Sequence, residues 1–310
     1  MNRTTNSCPI VLACDEGYAM PLATTMRSIV EANAGHWPTP FYVLSDGFRK
    51  KTMQRVMDSL PEGSACVEWL TVSLEPFRGM VTIAHISAMT YARFLLSDLL
   101  PPTVHRVLYL DADLLVLGDL EPLCNTPLDE CCIGAVTDHG LDSLVKRRDS
   151  KCAGMPQVRD YFNAGVLLID LDRWREARIG EKAMQYLIEH PHTPFCDQDA
   201  LNAVLDGAWK QLDSTWNFQR HLHTRLRELT AEDRPKIVHF ITAAKPWNPE
   251  IPNLNAAFYD AFRQRTRFAR TPGSNARDAF RKLWFVLKRL LKRQALVQTV
   301  WAHAHRRKWL

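Results

Sequence analysis

Two glycine signatures are missing from this sequence. No G-x-G-x-x-G follows the first apolar run, no G-x-x-x-x-G-K-[ST] occurs anywhere, and only 13 of the 310 residues are glycine. The usual backbone cradles for phosphate are absent, so any nucleotide must be held by side chains or by a metal. The eight cysteines, at 8, 14, 66, 124, 131, 132, 152 and 196, form no CxxC pair and no regular spacing. That argues against a zinc ribbon and a disulfide framework, and predicts mostly buried, reduced thiols in a cytosolic protein. Long apolar runs are missing too. The stretch from Pro9 to Cys14 is cut off by Asp15 and Glu16, so neither an export leader nor a membrane span is expected. Acid is almost absent from the end of the chain: residues 261–310 carry 14 Lys or Arg against the single Asp278, whereas the first 260 carry 25 bases against 33 acids. A body of −8 and a tail of +13 imply different partners for the two parts. No base-stacking or groove-reading element accompanies the basic tail, so no nucleic-acid partner is expected.

What is present is an ordinary globular composition, 46% hydrophobic and 24% charged, long enough for one large domain or two small ones. Short apolar runs at Ile10 to Ala13, Phe41 to Leu44, Ala65 to Leu70, Arg106 to Leu110, Cys132 to Val136 and Gly165 to Ile169 read as strands, several apolar on both faces. Helical patterns at Leu22 to Ala32, Lys50 to Ser59, Tyr91 to Leu99, Asp172 to Glu189 and Asp197 to Leu205 lie between them. The alternation predicts an α/β fold with a mostly parallel sheet, whose ligands sit at the carboxyl ends of the strands.

The sharpest chemical signal is Val107-Leu108-Tyr109-Leu110-Asp111-Ala112-Asp113, an apolar strand ending in two carboxylates. In extended chain Asp111 and Asp113 point to one side, forming half of a site for a hard divalent cation. Taken alone, a D-x-D is more often polar punctuation, exposed and of little consequence to the core. A second cluster, Lys236 to Phe240 as a short strand carrying His239, is followed by Lys245-Pro246-Trp247. Imidazole can complete a coordination shell with the two aspartates and lysine can meet a diphosphate, although a histidine within a strand is by itself more often a core residue. Asp138 after a strand end, Asn163 just ahead of a buried strand, and Asp197-Gln198-Asp199 at a helix start are also turn, cap or N-terminal residues by type. For Asp199 the helix-start reading is preferred, and Trp174, Trp209 and Trp284 are expected to be packing elements.

Taken together, these segments resemble the family 8 glycosyltransferases, retaining enzymes that include bacterial lipooligosaccharide galactosyl- and glucosyltransferases. The resemblance rests on Ala13-Cys14-Asp15-Glu16-Gly17-Tyr18, the run from His85 to Arg93, Leu108 to Asp113, Tyr161 to Val166, Asp197-Gln198-Asp199, and His239 through Trp247, in the family's order across residues 9 to 250. It implies a glycosyltransferase-A type nucleotide-binding domain, with Mn²⁺ (or Mg²⁺) on Asp111, Asp113 and His239. It further implies Asp15 at the nucleotide base, Arg93 and Lys245 near the diphosphate and donor sugar, and Asp138, Asn163, Asp197 and Gln198 around that sugar. Two positions depart from the pattern: Gly17 stands where an asparagine touching the nucleotide is usual, and Thr242 where H-x-x-G-x-x-K has glycine. The first weakens the basis for uridine recognition and the second narrows the diphosphate pocket.

The expected activity is transfer of galactose or glucose from a UDP-hexose to a carbohydrate or glycolipid acceptor, with retention. Double displacement requires a nucleophile beneath the anomeric carbon, for which Asp197 and Gln198 are the candidates; attack from the leaving-group face is the other route. The alternative function is a sugar-nucleotide binding or scaffold protein of the same fold. Residues 1–260 are expected to form the catalytic domain and 261–310 a basic amphipathic tail. On a helical wheel of residues 280 to 301, Phe280, Leu283, Trp284, Leu287, Leu290, Leu291, Val297 and Trp301 share one side. Arg281, Lys282, Lys288, Arg289, Lys292 and Arg293 share the other, with Phe285 and Leu296 falling among them. Such a helix suits an anionic membrane surface, placing a cytoplasmic enzyme on the inner face of the cell membrane, or else packs on the acidic body.

Overall fold

The computed structural model describes residues 8–80, 87–148, 153–285 and 287–288. Nine strands and nine α-helices are defined among them: β1 Ile10–Ala13, α1 Ala19–Ala32, β2 Thr39–Ser45, α2 Lys50–Met57, β3 Ala65–Thr71, α3 Leu96–Leu99, β4 Arg106–Asp111, β5 Leu114–Val116, α4 Glu121–Cys124, β6 Ile133–Thr137, α5 His139–Lys146, β7 Phe162–Asp170, α6 Leu171–Glu176, α7 Ile179–Glu189, α8 Cys196–Val204, β8 Trp209–Gln211, β9 Ile237–His239 and α9 Ala256–Arg263. Residues 272–285 are also helical.

Seven strands form one sheet in the order β3-β2-β1-β4-β7-β6-β8, and β5 pairs with β9 in a separate ribbon. β1, β2, β3 and β4 run parallel, β7 is antiparallel to β4 and to β6, and β8 is parallel to β6. One reversed strand in an otherwise parallel sheet is the expected α/β architecture. Because side chains alternate along a strand, the sheet feeds two cores. Val11, Val107, Tyr109, Leu167 and Ile169 face one, with Trp174, Ala183, Leu187 and Leu201 from α6, α7 and α8. Ile10, Leu12, Leu108, Leu110, Val166 and Leu168 face the other, with Leu22, Ala23, Met26, Ile29 and Val30 of α1. This burial on both faces is why those strands read as unbroken apolar runs.

The expected helix from Asp172 to Glu189 is two helices, broken where Arg178 adopts a left-handed backbone (φ 54°). The Tyr91 to Leu99 pattern is a 3-10 segment, Ala88–Leu95, running into the short α3. Trp174 is buried in the core and Trp209 packs against it, but Trp284 is 48% exposed, so it is not a packing element. Of the seven cysteines among the described residues, Cys14, Cys132 and Cys196 are buried, Cys8, Cys124 and Cys131 half-buried, and Cys66 is exposed rather than buried. Packing on the body continues past residue 260: Phe268 joins the α1-side core, and Arg265 pairs with Glu31 at 2.8 Å. His85, Ile86, Cys152 and the wheel positions beyond Lys288 lie outside the described residues.

Candidate functional site

The carboxyl ends of β1 and β4 and the start of the reversed strand β7 open onto a cavity of about 580 Å³. This is the edge of the sheet where the strand order switches direction and where ligands bind in such folds. All ten residues singled out from the sequence line it: Asp15, Arg93, Asp111, Asp113, Asp138, Asn163, Asp197, Gln198, His239 and Lys245.

Asp111 ends β4, and a tight turn through Ala112 and Asp113 leads into β5. The two carboxylates therefore converge across a turn rather than along extended chain. The buried Thr25 hydroxyl of α1 holds that turn, lying 3.0 Å from the Ala112 carbonyl and 2.8 Å from that of Leu114. The ribbon register sets His239 opposite Leu114, and the Phe240 N–H donates to the Asp113 carbonyl at 3.1 Å. As a result one ligand atom from each of Asp111, Asp113 and His239 lies within 4.8 Å of the others. His239 Nε2 is 3.1 Å from Asp113 Oδ1 and 3.7 Å from Asp111 Oδ2.

Two observations bear on whether these residues suit a cation. Asp113 Oδ1 is buried and accepts no hydrogen bond, a costly state for a carboxylate oxygen unless a positive group meets it. Gly165 leaves the ring and carboxylates their room: a Cβ there would sit 2.1 Å from His239 Cε1 and 2.8 Å from Asp111 Oδ2. Two carboxylates and an imidazole are a donor set for Mn²⁺ or Mg²⁺, the softer nitrogen favouring Mn²⁺. His36, Asp119 and Glu121 also lie close together, but they are exposed and outside the cavity.

The remaining polar groups are heavily engaged. Lys245 Nζ donates to Asp113 Oδ2 at 2.6 Å and to the Phe240 carbonyl at 2.7 Å. Burial pushes the Asp113 carboxyl up, and the Lys245 ammonium together with the neighbouring His239 ring more than reverses this, holding it well below the usual carboxylate range. Asp113 is thus not the exposed strand-end carboxylate expected of a D-x-D. Arg93, only 3% exposed, donates to Asp111 Oδ1 at 2.8 Å and to the Ala164 carbonyl at 2.6 Å, and its Nε lies 3.1 Å from Asp197 Oδ2. Burial works against its charge, and Asp197, Tyr109 and Asp111 restore it. Asp197 Oδ1 accepts from Thr90 at 2.6 Å; burial raises its carboxyl despite the facing Arg93.

Asp138 caps α5, accepting from the Leu141 N–H at 3.1 Å. Its Oδ2 accepts from Asn163 at 3.2 Å and from Gln198 at 3.3 Å, while Gln198 Oε1 accepts from the Ala164 N–H at 3.0 Å. Asn163 lies within β7, at an irregularity where Ala135 pairs with Leu167 but Val136 pairs with Asn163. Asp199 lies in the first turn of α8, as expected of a helix-start acid, and is fully buried, accepting from the Tyr161 hydroxyl, from Thr193 and from the Phe195 N–H. Asp15 lies at the rim, close to Gly17, where a Cβ would come within 3.0 Å of the Asp15 carboxylate.

Tyr18, Thr90 and Thr242 also line the cavity, and Asn217 stands behind His239, its Oδ1 3.1 Å from His239 Nδ1. No sequence pattern marks Asn217: it follows a short polar run and is buried only by the tertiary fold. Thr242 adopts a left-handed backbone at φ 71°, the conformation for which glycine is the ordinary residue.

The family model of Glycosyl transferase family 8 matches residues 9–250. General stress protein A of Bacillus subtilis (strain 168) is 29% identical over 253 residues, 77% of this chain and 87% of that protein. The lipopolysaccharide 1,2-glucosyltransferase of Escherichia coli (strain K12) is 25% identical over 256 residues, 80% of this chain and 75% of the relative. Among solved structures, the galactosyltransferase LgtC in complex with donor and acceptor sugar analogues matches with a TM-score of 0.72 and 28% identity, covering 87% of this chain and 99% of that one. The mostly parallel α/β fold is of the same glycosyltransferase-A kind.

Proposed function

The chain belongs to glycosyl transferase family 8, and from that premise we propose that it transfers galactose or glucose from a UDP-sugar to a carbohydrate or glycolipid acceptor, with retention and with Mn²⁺ as cofactor, Mg²⁺ being the nearest substitute. The observation that carries this reading is the convergence of Asp111, Asp113 and His239 around an acceptor oxygen left without a hydrogen bond. Those three residues would hold the ion, which offsets charge developing on the departing diphosphate, so that the leaving group needs no proton.

The protein's own groups divide the remaining work. Lys245 supplies a point charge to the diphosphate by exchanging Asp113 for phosphate oxygens. Asp15 sits by the nucleotide base. Arg93, its guanidinium already committed to Asp111 and Asp197, acts on the donor side by orienting those carboxylates. Asp138 and Asn163 face the sugar. Both Asp197 oxygens are engaged, by Thr90 and Arg93, so a nucleophilic Asp197 would first have to give up a partner. Gln198 holds the Ala164 backbone and Asp138 in place. This supports attack from the leaving-group face, with Asp197 and Gln198 shaping the site beneath the anomeric carbon.

We further read residues 1–260, with the end of α9 and Phe268 packed on them, as the catalytic unit and the basic C-terminal segment as a contact with an anionic membrane surface on the cytoplasmic side. Phe280 is 68% exposed, Leu283, Trp284 and Leu287 are also exposed, and Lys288 lies over the Trp284 ring. Among the described residues no helix is long and apolar enough to cross a membrane.

Screening UDP-sugars for Mn²⁺-dependent UDP release tests the donor without knowledge of the acceptor. Turnover with UDP-galactose or UDP-glucose, lost in Asp111→Asn and Asp113→Asn, is the expected result. The anomeric proton coupling of the transferred sugar should be that of an α-glycoside; a β-linked product overturns retention. UDP binding without turnover on any donor would instead make this a sugar-nucleotide binding protein.

A further inference from the structure

We propose that Asn217 is a positioning residue for the cation site, fixing His239 as its Nδ1–H tautomer so that an unprotonated Nε2 faces Asp111 and Asp113. This rests on the reading of those three residues as cation ligands. The argument starts from one atom whose chemistry is certain. The Gly165 backbone N–H can only donate, and it lies 3.0 Å from Asn163 Oδ1, so that atom is the amide oxygen. The Asn163 nitrogen then faces the Asp138 carboxylate at 3.2 Å, as an acceptor requires. Asn217 stands 2.9 Å from the same Asn163 oxygen and must present its nitrogen there. Its own oxygen is thereby turned to His239 Nδ1 at 3.1 Å. An amide oxygen only accepts, so Nδ1 carries the hydrogen, and in a neutral ring Nε2 keeps its lone pair.

Nε2 lies 3.1 Å from Asp113 Oδ1, a contact that does not satisfy that oxygen as a hydrogen bond. Two acceptors at this distance repel each other unless a cation lies between them. The opposite tautomer would place a hydrogen on Nε2, on the side of the two carboxylates, where a ligating lone pair is needed. Asn217 is 2% exposed and His239 4%, so water does not offer an alternative partner to either amide or ring. Residues behind a ligating histidine commonly set its tautomer, and their loss weakens metal binding by about 10- to 100-fold.

The test uses the full-length protein. Histidine side-chain ¹⁵N shifts are recorded on the metal-free protein above pH 8, with His239 assigned by its absence in His239→Gln. Mn²⁺ binding is followed by electron paramagnetic resonance. The wild type should show the Nδ1–H tautomer; the Nε2–H tautomer overturns the proposal without any variant at position 217. Asn217→Leu should move His239 toward the Nε2–H tautomer and weaken Mn²⁺ by at least tenfold. Asn217→Asp, which keeps an acceptor on Nδ1, should preserve the tautomer and bind Mn²⁺ more tightly than the leucine variant. A folded Asn217→Leu with wild-type affinity and tautomer overturns the proposal, whereas a wild type that binds no Mn²⁺ overturns the cation site itself. If the leucine variant does not fold, the wild-type tautomer decides.

Discussion

Lys245 holds one positive charge for which two partners compete. It pairs with Asp113 at 2.6 Å, where it repels any cation approaching the same carboxylate, and in the proposed reaction the diphosphate draws on it too. Lys245→Ala should therefore act with opposite sign on the two ligands. Mn²⁺ alone should bind more tightly, because a positive charge beside its carboxylate is gone. UDP in the presence of Mn²⁺ should bind about tenfold more weakly, the effect of losing one charge-assisted hydrogen bond. Calorimetric titrations with each ligand check both signs, and unchanged UDP affinity would move Lys245 away from the diphosphate. Thr242 presents a different residue-scale conflict. A β-branched residue at φ 71° carries about 1–2 kcal/mol of backbone strain, only part of which glycine's greater unfolded-state freedom would cancel. Thr242→Gly should raise the thermal midpoint by about 1–3 °C. It should also widen the diphosphate end of the cavity, readable as a lower KM for the donor. A lower midpoint would mean that the threonine side chain contributes more than its backbone costs.

At the scale of elements, the segment from Phe240 to Lys245 is held by groups from two other parts of the chain. His221 Nε2 donates to the Ile241 carbonyl at 3.1 Å, and Asn253 donates to the Ala244 carbonyl. His221 is fully buried against the Phe240 ring. Burial pushes its imidazole down to about 4, with His239 and Lys245 acting in the same direction and the Ile241 carbonyl and Asp113 against it. The unfolded chain, with an ordinary value near 6.5, takes up a proton that the folded chain refuses in the interval between. Stability is thus fully present above about pH 6.5 and declines as pH falls toward 4, by about 3 kcal/mol in all. Chemical denaturation across that range should show this slope, and His221→Gln should flatten it; an unchanged slope would assign the acid sensitivity to other groups. Elements differ in legibility for a related reason. β1, β2, β3, β4, β6 and β7 carry enough alternating or continuous apolar residues to be read directly. β5 and β8, three residues each, have no period to detect and exist because a neighbouring strand completes their hydrogen bonds. The break between α6 and α7 was hidden because an apolar period runs through it, while the left-handed Arg178 that reorients the chain has no marker in its own residue type.

For the whole molecule, charge division is the organising feature. The exposed Phe280, Leu283 and Trp284 share the helix 272–285 with Arg277, Arg281 and Lys282, and the exposed Leu287 and Lys288 are helical as well. That helix also touches the body through ion pairs of Arg270 with Asp278 and of Arg281 with Glu250. The Arg281 pair is largely exposed and worth little, the Arg270 pair is half-buried, and each base near an anionic leaflet contributes about 1 kcal/mol. Deleting residues 277–310 should release the protein from anionic liposomes, keep UDP-sugar hydrolysis, and reduce transfer to lipid-linked acceptors. Equal flotation of the full-length and truncated proteins would show that this segment is not the anchor, and an unfolded truncation would make it a docked part of the body.

The sequence by itself determined the α/β layering, since burial of the central strands on both faces imprints apolar runs that no other arrangement needs. It marked Asp111, Asp113, Asp138, Asn163, Asp197, Gln198, His239 and Lys245 as polar residues beside apolar runs, whereas Asp15 and Arg93 stood out only through the family resemblance. Tertiary structure decided how those residues divide their bonds. Lys245 and Asp113 meet across 132 positions of sequence, and only the β5–β9 register sets His239 beside the aspartates. Only burial commits Arg93 to two carboxylates and turns Asn217 toward the imidazole. Local pattern records which residues face a core; it does not record which distant partner satisfies a buried polar atom, because that choice is made by the approach of strands far apart in the chain.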